Sequence, residues 1–197
     1  PAVPSINSVV KANPDAGFSI VTWTASAAGS RIAHGLNAAP EMIIARSRTA
    51  TQPWVIYHSA LGKGGVLQLH VTDAVNTTYP TYWGNNEPNS GVFDVYTGQT
   101  PWANNAGDMV AYCFSSVSNY SFVGSYEGNG STDGPFVALS FAPKFILLKN
   151  ADVGTTGHDW FIHDTKRDPF NVSDSYIKTS QLDAEATYDM LDFLSNG

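Results

Sequence analysis

The stretch Leu36-Asn-Ala-Ala-Pro-Glu-Met-Ile-Ile44 returns in altered form as Leu139-Ser-Phe-Ala-Pro-Lys-Phe-Ile-Leu147. Trp54-Val-Ile-Tyr57 is followed in the same way by Trp160-Phe-Ile-His163, and Gly17-Phe-Ser-Ile-Val21 by Asn119-Tyr-Ser-Phe-Val123. The offset between the copies drifts only from 102 to 106 residues. A repeat of this length predicts that each copy is one structural unit.

The repeat divides the chain into three parts. We expect a lead-in segment over residues 1–16, a first β unit over 17–118 and a second, incomplete β unit over 119–197. The two units are expected to pack together as one body. A duplicated motif is more typical of a scaffold than of a catalytic centre, so the repeat favours a non-enzymatic protein.

Composition narrows the fold and the class of partner. Hydrophobic residues make up 43% of the chain and charged residues only 14%, which with abundant Ser, Thr, Asn and Gly favours strands joined by polar turns. A net charge of −7 argues against binding nucleic acid, which needs a basic face. No apolar stretch approaches the roughly 20 residues of a membrane helix. Cys113 is the only cysteine, and its apolar run predicts an inert core thiol.

Short apolar and β-branched runs recur between Gly, Asn and Pro, as in an antiparallel β-sandwich of the jelly-roll or lectin type. The predicted strands are Phe18–Thr24, Ile32–His34, Met42–Arg46, Trp54–His58, Val66–Val71, Val92–Tyr96, Met109–Phe114, Tyr120–Tyr126, Pro135–Leu139, Phe145–Lys149 and Trp160–His163. Phe145–Leu148 is apolar throughout, which predicts a central strand covered on both faces. The spacing of apolar residues predicts one helix over Ser180–Leu194. Trp54 and Trp160, being repeated, are expected in the core.

Several ordered motifs resemble an uncharacterised domain of tail-fibre and other virion proteins of bacteriophages, especially marine and cyanobacterial ones. The resemblance covers nearly the whole chain from about Asn13 and is carried by Gly17-Phe-Ser-Ile-Val-Thr-Trp23, His34-Gly-Leu36, Ala39-Pro-Glu-Met-Ile-Ile44, Trp54-Val-Ile-Tyr-His58, Ala111-Tyr-Cys-Phe114, Gly124-Ser-Tyr-Glu-Gly-Asn-Gly130, Asp133-Gly-Pro-Phe136, Asp164-Thr-Lys-Arg-Asp-Pro-Phe-Asn171 and Asp192-Phe-Leu-Ser-Asn-Gly197. It implies an accessory β domain of a virion appendage, located on the outer surface of the assembled particle. The implied partners are other tail proteins and further copies of the chain, with a trimer favoured.

The resemblance also raises a hypothesis about association. The second copy stops at Gly197, where the family pattern usually runs on through further strands. Either the chain is a segment of a longer polypeptide or a neighbour supplies the final strands, and we expect an unfilled sheet edge near Gly197 that pairs with another chain or domain.

The strongest candidate binding site is the long segment from Asn76 to Gly107, rich in aromatic and asparagine residues. Sugars present flat C–H faces and hydroxyl groups, which aromatic rings and amide groups recognise together. The candidate glycan-binding residues are Tyr79, Tyr82, Trp83, Asn85, Asn86, Trp102, Asn104 and Asn105. The alternative is that Trp83 and Trp102 anchor the loops onto the sandwich.

Other chemistry has weaker support. Asn129, Ser131 and Asp133 have the spacing that opens a calcium loop, but Ser140 stands where a bidentate acid is needed, and a glycine-rich turn is the other interpretation. One cysteine and scattered histidines do not predict a transition-metal site, and no cofactor is expected. No Gly-x-Ser-x-Gly motif is present, although a triad assembled in space stays open.

These observations predict a non-enzymatic structural or adhesion domain of a phage tail fibre or virion appendage, which binds host-surface glycans. The alternatives are a sandwich-fold enzyme that depolymerises capsule polysaccharide and a purely structural fibre spacer.

Overall fold

The computed structural model describes residues 3–25, 30–96, 107–155 and 157–197. Those residues form an all-β fold with antiparallel pairing throughout, and their one helical element is a 3₁₀ turn at Pro14–Ala16. The strands of the first half are β1 Ser8–Asn13, β2 Phe18–Thr24, β3 Ser30–Ala33, β4 Met42–Ser47, β5 Val55–His58, β6 Leu67–Gln68, β7 Val92–Val95 and β8 Asp108–Phe114. The strands of the second half are β9 Phe145–Lys149, β10 Trp160–Asp164, β11 Ser173–Lys178 and β12 Ala186–Leu191.

The strands form three sheets in a sandwich-like arrangement, which confirms the predicted antiparallel all-β class. A six-stranded sheet has the order β1-β2-β8-β4-β5-β6, and β3 pairs with β7 in a two-stranded sheet. Buried and half-buried residues alternate along β2, β4 and β8, because successive side chains of a strand point to opposite faces. The buried residues form the inner face, whose core includes Val21, Trp23 and Ile43 with Ile32 and Phe93 of the two-stranded sheet.

The remaining four strands form a second body in the order β12-β11-β10-β9. Trp160 of this sheet packs against Ile56 and Leu67, which lie on the outer face of the six-stranded sheet. Its indole N–H donates a hydrogen bond to the carbonyl oxygen of Gln68 at 2.9 Å. Apolar packing and polar contacts together fix the four-stranded sheet over the β5–β6 end of the larger one.

Three strands of each half have the same hydrogen-bonded register. In the first half Ile44 lies opposite Ile56, and Ile56 lies opposite Leu67. In the second half Leu147 lies opposite Ile162, and Ile162 lies opposite Ile177. The shifts of 103, 106 and 110 residues between these matched positions follow the drift of the sequence repeat.

Hydrogen bonds at the ends of these strands correspond as well. Ser59 N donates to Glu41 O at 2.8 Å, and Thr165 N donates to Lys144 O at 3.1 Å in the matching place. Leu69 N donates to Trp54 O at 3.1 Å, and Thr179 N donates to Trp160 O at 3.2 Å. The β4–β5–β6 and β9–β10–β11 groups therefore share one pairing plan, whereas the two-unit division of the whole chain stays a prediction.

Several predicted elements are wrong. Residues 120–126 and 135–139 form no strand, because their apolar side chains find no sheet to pack on and Tyr120 and Phe136 remain exposed. The predicted helix over Ser180–Leu194 is instead the strand β12, since pairing with β11 satisfies its backbone. The expected lead-in contains β1, which pairs with β2 along its whole length and so belongs to the six-stranded sheet.

Two predictions about burial are also wrong. β9 is an edge strand and not a central one, since among the described residues only β10 pairs with it. Trp160 is buried as expected, but Trp54 is only half-buried. The two tryptophans precede or open matching strands, yet only Trp160 is covered by a second sheet. No helix in the described ranges is long and apolar enough to cross a membrane.

Candidate functional site

The predicted aromatic binding segment is largely part of the core. Tyr82 and Trp83 are each only 1% exposed, so their rings cannot serve as platforms for a ligand, and that part of the prediction is wrong. Trp83 meets the ring of Tyr57 edge-on at 5.7 Å between centroids. The alternative interpretation, that Trp83 anchors its loop onto the sandwich, agrees with this burial.

The other described members of that segment differ in exposure and in contacts. Tyr79 is 38% exposed and packs edge-on against Tyr82. The Asn86 amide donates to Asp94 Oδ2 at 2.8 Å, and Asn85 is exposed. Trp102, Asn104 and Asn105 lie outside the described residues.

The calcium candidate is a turn whose polar groups bond to one another. Asn129 Oδ1 accepts from Ser131 N at 3.0 Å, Ser131 Oγ accepts from Asp133 N at 3.1 Å, and the Asn129 amide donates to Asp133 O at 2.8 Å. These bonds agree with the glycine-rich turn interpretation. Across the described ranges, no group of three or more His, Cys, Asp and Glu side chains is arranged to hold a metal ion.

Two buried residues of the first half, His34 and Cys113, are held in an unreactive state. His34 Nδ1 accepts from Leu36 N at 3.2 Å, so its Nε2 carries the proton and donates to Asn89 O at 2.8 Å. Burial lowers the pKa of His34, which keeps the ring neutral. Burial also raises the pKa of the Cys113 thiol to about 12, so this cysteine has little thiolate and is unreactive in the folded protein.

A serine, a histidine and an aspartate meet in the four-stranded sheet, but they lack the geometry of a catalytic triad. Ser173 Oγ lies 3.5 Å from His163 Nδ1 and donates to Asp168 Oδ2 at 3.4 Å. The acid therefore contacts the hydroxyl and not the far nitrogen of the imidazole ring, where it would orient a base. Ser173 and His163 are both 0% exposed, so no substrate reaches them in this conformation.

Asp168 and Asp159 tie neighbouring strands together. Burial alone would raise the pKa of Asp168, but hydrogen bonds from the Ser175 backbone and hydroxyl lower it on balance. Burial also opposes ionisation of Asp159, whose pKa is nevertheless lowered by hydrogen bonds from Ser180 and Gln181 and by the Lys178 ammonium group. Both groups are held as carboxylates, whereas a general acid needs a raised pKa.

The outer face of the six-stranded sheet carries a row of stacked rings that sequence reasoning missed. Phe18 of β2 lies opposite Phe114 of β8, with ring centroids 5.1 Å apart. Phe18 also stacks on Tyr112 at 6.4 Å with nearly parallel planes, and Tyr112 stacks on Trp54 at 6.0 Å. We call these four residues the aromatic face; all four are half-buried and keep part of their rings accessible.

Polar and cationic groups border the aromatic face. The Arg46 guanidinium carbon lies 5.4 Å from the centroid of the Trp54 ring, in cation–π contact. Lys11 of β1 lies opposite Ile20 of β2 and is exposed on the same side of the sheet as Phe18. Ring faces and hydrogen-bonding groups therefore occur together on this surface.

One end of this surface is an open groove of about 260 Å³. Its lining includes Thr22, Thr24, Arg48 and Asp108, which we call the polar row. Thr24 Oγ1 donates to Asp108 Oδ1 at 2.9 Å, so the carboxylate is held in place at the sheet surface. Hydroxyl, guanidinium and carboxylate groups thus line this groove, and the four rings of the aromatic face are not part of its lining.

The sequence contains a signal for this face. Along β8, Val110, Tyr112 and Phe114 alternate with Met109, Ala111 and Cys113 of the core. Large rings on the non-core side of a regular strand indicate either a second packing layer or a binding surface. The alternation of residues along β8 does not show what covers these rings, so the sequence alone does not distinguish a packing layer from a binding surface.

Comparison with known proteins assigns the chain to a family whose function is unknown. The family model described as "Domain of unknown function (DUF7483)" matches residues 2–197, so the chain belongs to that family. No curated protein and no solved structure matches the chain.

Proposed function

We propose that this member of the DUF7483 family is a non-enzymatic adhesion domain that binds polysaccharide on the outer face of its six-stranded sheet. The observation that carries the proposal is the stack of accessible rings running from Phe18 through Tyr112 to Trp54. Stacked rings at fixed spacing suit successive sugar units, whose C–H faces pack on aromatic surface. The adjoining polar row supplies donors and acceptors for hydroxyl groups.

The charges of this surface favour an acidic polysaccharide. Lys11, Arg46 and Arg48 are three of the ten basic residues of the chain, and Asp108 lines the groove together with Arg48, although the protein as a whole has a net charge of −7. None of the three cations has a salt-bridge partner among the described residues. Lys11 on β1 and Arg46 on β4 are three strand spacings apart, roughly 14 Å at about 4.8 Å per strand, so an extended acidic chain fits better than a single sugar.

Nucleic acid also combines negative charge with stackable rings, but this surface suits it less. Proteins that bind nucleic acid neutralise several phosphates, and here three cations share the surface with the Asp108 carboxylate. That carboxylate repels phosphate and uronate groups alike, but it accepts hydrogen bonds from the several hydroxyl groups that each sugar unit presents. We therefore place polysaccharide first and use nucleic acid as a competitor in the test.

The biological setting that we propose is a phage tail fibre or another virion appendage on the particle surface. The support for it is the resemblance of the ordered motifs described above. Host attachment suits such a site, because many weak sites on an oligomeric fibre add through effective concentration. The partners in this setting are other tail proteins, further copies of the chain and host-surface polysaccharide.

The test is a glycan array followed by titration with a purified polyuronate and a neutral glucan. Trp54→Ala and Tyr112→Ala should each weaken binding about tenfold, taking for a sugar on a ring the lower part of the range of about 1–3 kcal/mol known for a nucleic-acid base stacked on a ring. Tyr188→Ala removes an exposed ring from the distant strand β12 and should leave binding unchanged. Equal loss in all three variants, or binding to no glycan at all, would contradict the adhesion function.

A second set of variants tests the acidic class. Arg46→Met and Arg48→Gln should reduce polyuronate binding and its salt dependence, whereas Lys144→Gln removes an equal charge elsewhere. Binding of the neutral glucan at equal strength would keep the adhesion function and reject the acidic class. Displacement by oligo(dT) at lower concentration than by polyuronate would identify nucleic acid as the ligand.

The enzymatic alternative remains a sandwich-fold polysaccharide depolymerase. Release of new reducing ends from capsule polysaccharide by the wild-type protein would establish that activity. A protein that binds glycan without such release is an adhesion domain, and one that neither binds nor cleaves is a structural spacer.

A further inference from the structure

β4 and β9 hold matching positions in the two halves, but among the described strands β4 has a neighbour on both sides and β9 has one on a single side. In the first half β4 pairs with β5 on one side and with β8 on the other. In the second half β9, which matches β4, pairs with β10 on one side, and no described strand pairs with its other side. The free edge of β9 is thus the counterpart of the edge that β8 occupies.

The backbone groups that face this free edge follow from the pairing. Thr165 N donates to Lys144 O, so residues 144 and 165 form a hydrogen-bonded pair. Residues of an antiparallel pair alternate between bonding and not bonding across the ladder, so Ile146 and Leu148 bond to β10. Phe145, Leu147 and Lys149 therefore direct their N–H and C=O groups away from β10, towards the open edge.

The side chains of β9 have the character of an interior strand. Four of its five residues are apolar, a pattern typical of a strand covered on both faces. Phe145 is nevertheless 58% exposed, and the remaining four residues are only half-buried. Natural edge strands are usually protected by charge, proline or a bulge. The register of β9 against β10 is regular, and proline and charge stand only at the two ends of the strand, at Pro143, Lys144 and Lys149.

We infer that the free edge of β9 accepts an extended apolar strand from another polypeptide, running antiparallel to β9 in the manner of β8. The occupant is specified by the matched position in the first half. There Phe114 lies opposite Met42, Tyr112 opposite Ile44 and Ala111 opposite Ala45. The incoming segment accordingly presents large apolar residues opposite Phe145 and Leu147 and a small residue opposite Leu148.

The edge is a binding site by backbone pairing, independent of the polysaccharide surface. Addition of a strand to an open edge derives its affinity from main-chain hydrogen bonds and its selectivity from alternate side chains. Filling the edge would extend the four-stranded sheet to five strands and cover the exposed ring of Phe145.

The chain supplies its own probe, because β8 fills the matched edge. The experiment adds a synthetic peptide of residues 107–115 carrying Cys113→Ser to the intact protein, with a scrambled peptide of the same composition as control. Amide exchange and chemical shifts are followed by NMR. We expect fast exchange at Phe145, Leu147 and Lys149 without peptide, slowed at least severalfold when the peptide is bound, with little change at Ile146 and Leu148.

Two variants separate backbone pairing from side-chain contact. Phe145→Ala keeps the main-chain donor at the start of the strand, whereas Phe145→Pro removes it at a position where proline is tolerated. Because the proline variant loses one hydrogen bond that the alanine variant keeps, it should bind the peptide about twofold to tenfold more weakly than the alanine variant.

Three outcomes would overturn the inference. Slow exchange at Phe145, Leu147 and Lys149 in a monomer without peptide would mean that the edge is already closed. The same protection in a protein that sediments as a dimer would make a second copy of β9 the occupant. Shift changes confined to β2 and β4 would mean that the peptide only replaces β8 in its own sheet.

Discussion

Leu69 and Thr179 hold matching places in the two halves and contact each other directly. Each donates its backbone N–H to the carbonyl oxygen of a matched tryptophan, Trp54 or Trp160. The Thr179 hydroxyl then donates to the Leu69 carbonyl oxygen at 2.7 Å. The two sheets are therefore joined by the residues that directly follow the matching strands β6 and β11.

Removing this hydroxyl should weaken the junction between the sheets. Thr179→Val keeps the shape of the side chain but leaves the Leu69 carbonyl oxygen without its donor, so we expect a loss of about 1 kcal/mol in the free energy of unfolding. Thr179→Ser keeps the donor and is the control. Urea denaturation measures both, and equal stability of the valine and serine variants would show that the bond contributes nothing.

Gly17 should tolerate no side chain. It ends the 3₁₀ turn in the left-handed region at φ 62°, and a Cβ there would collide with the Ser115 carbonyl oxygen. Gly17→Ala therefore adds a collision to a left-handed penalty of about 1–2 kcal/mol. Gly130→Ala has the same sign of φ, at 69°, with open space around it, and should cost only the conformational penalty. Equal melting temperatures for the two variants would contradict the close approach of Gly17 to β8.

Stability should fall as the pH is lowered from 7.5 to 5.5. Burial lowers the pKa values of His34, His58 and His163 below 6.5 in the folded protein. The unfolded chain therefore binds these protons first, and stability is lost as the pH falls through about 6.5. The slope is at most about 1.4 kcal/mol per pH unit for each histidine.

Denaturation at a series of pH values measures this slope, and His163→Leu should reduce it. Stability that is constant or rises on acidification across this range would contradict the neutral, buried state of these rings. The pKa values of Asp159 and Asp168 are also lowered, so a further loss is expected as the pH falls below about 3.8, where these carboxylates become protonated.

The predicted sugar site shows that local sequence composition does not predict which aromatic rings are exposed. Tyr79, Tyr82, Trp83 and the neighbouring asparagines have a suitable composition for a sugar site, yet Tyr82 and Trp83 fill the core. Aromatic composition does not distinguish a ring that anchors a loop from one that meets a ligand, because both uses need the same residue type. Trp54 shows the converse: its repeat with Trp160 suggests a core residue, but it stacks on Tyr112 at a partly open surface.

The sequence by itself determined the strands that have strong local character. Phe18–Thr24 and Phe145–Lys149 have the predicted bounds, because each begins shortly after a glycine or proline and consists largely of aromatic, β-branched and other apolar residues that favour a strand. It also indicated the shared pairing plan of β4–β5 and β9–β10, since equal spacing between matched strands permits equal register.

Only the tertiary structure decided which surfaces are covered and which edges are open. β2 pairs with β8, some 90 residues away, and this pairing brings Phe18 beside Tyr112. Residues 120–126 have strand-like composition but pair only through one isolated bridge between Ser121 and Val117, whereas Ala186–Leu191 becomes a strand because β11 provides a neighbour along its length. A strand satisfies its hydrogen bonds only with a partner, so its existence and exposure depend on residues far along the chain.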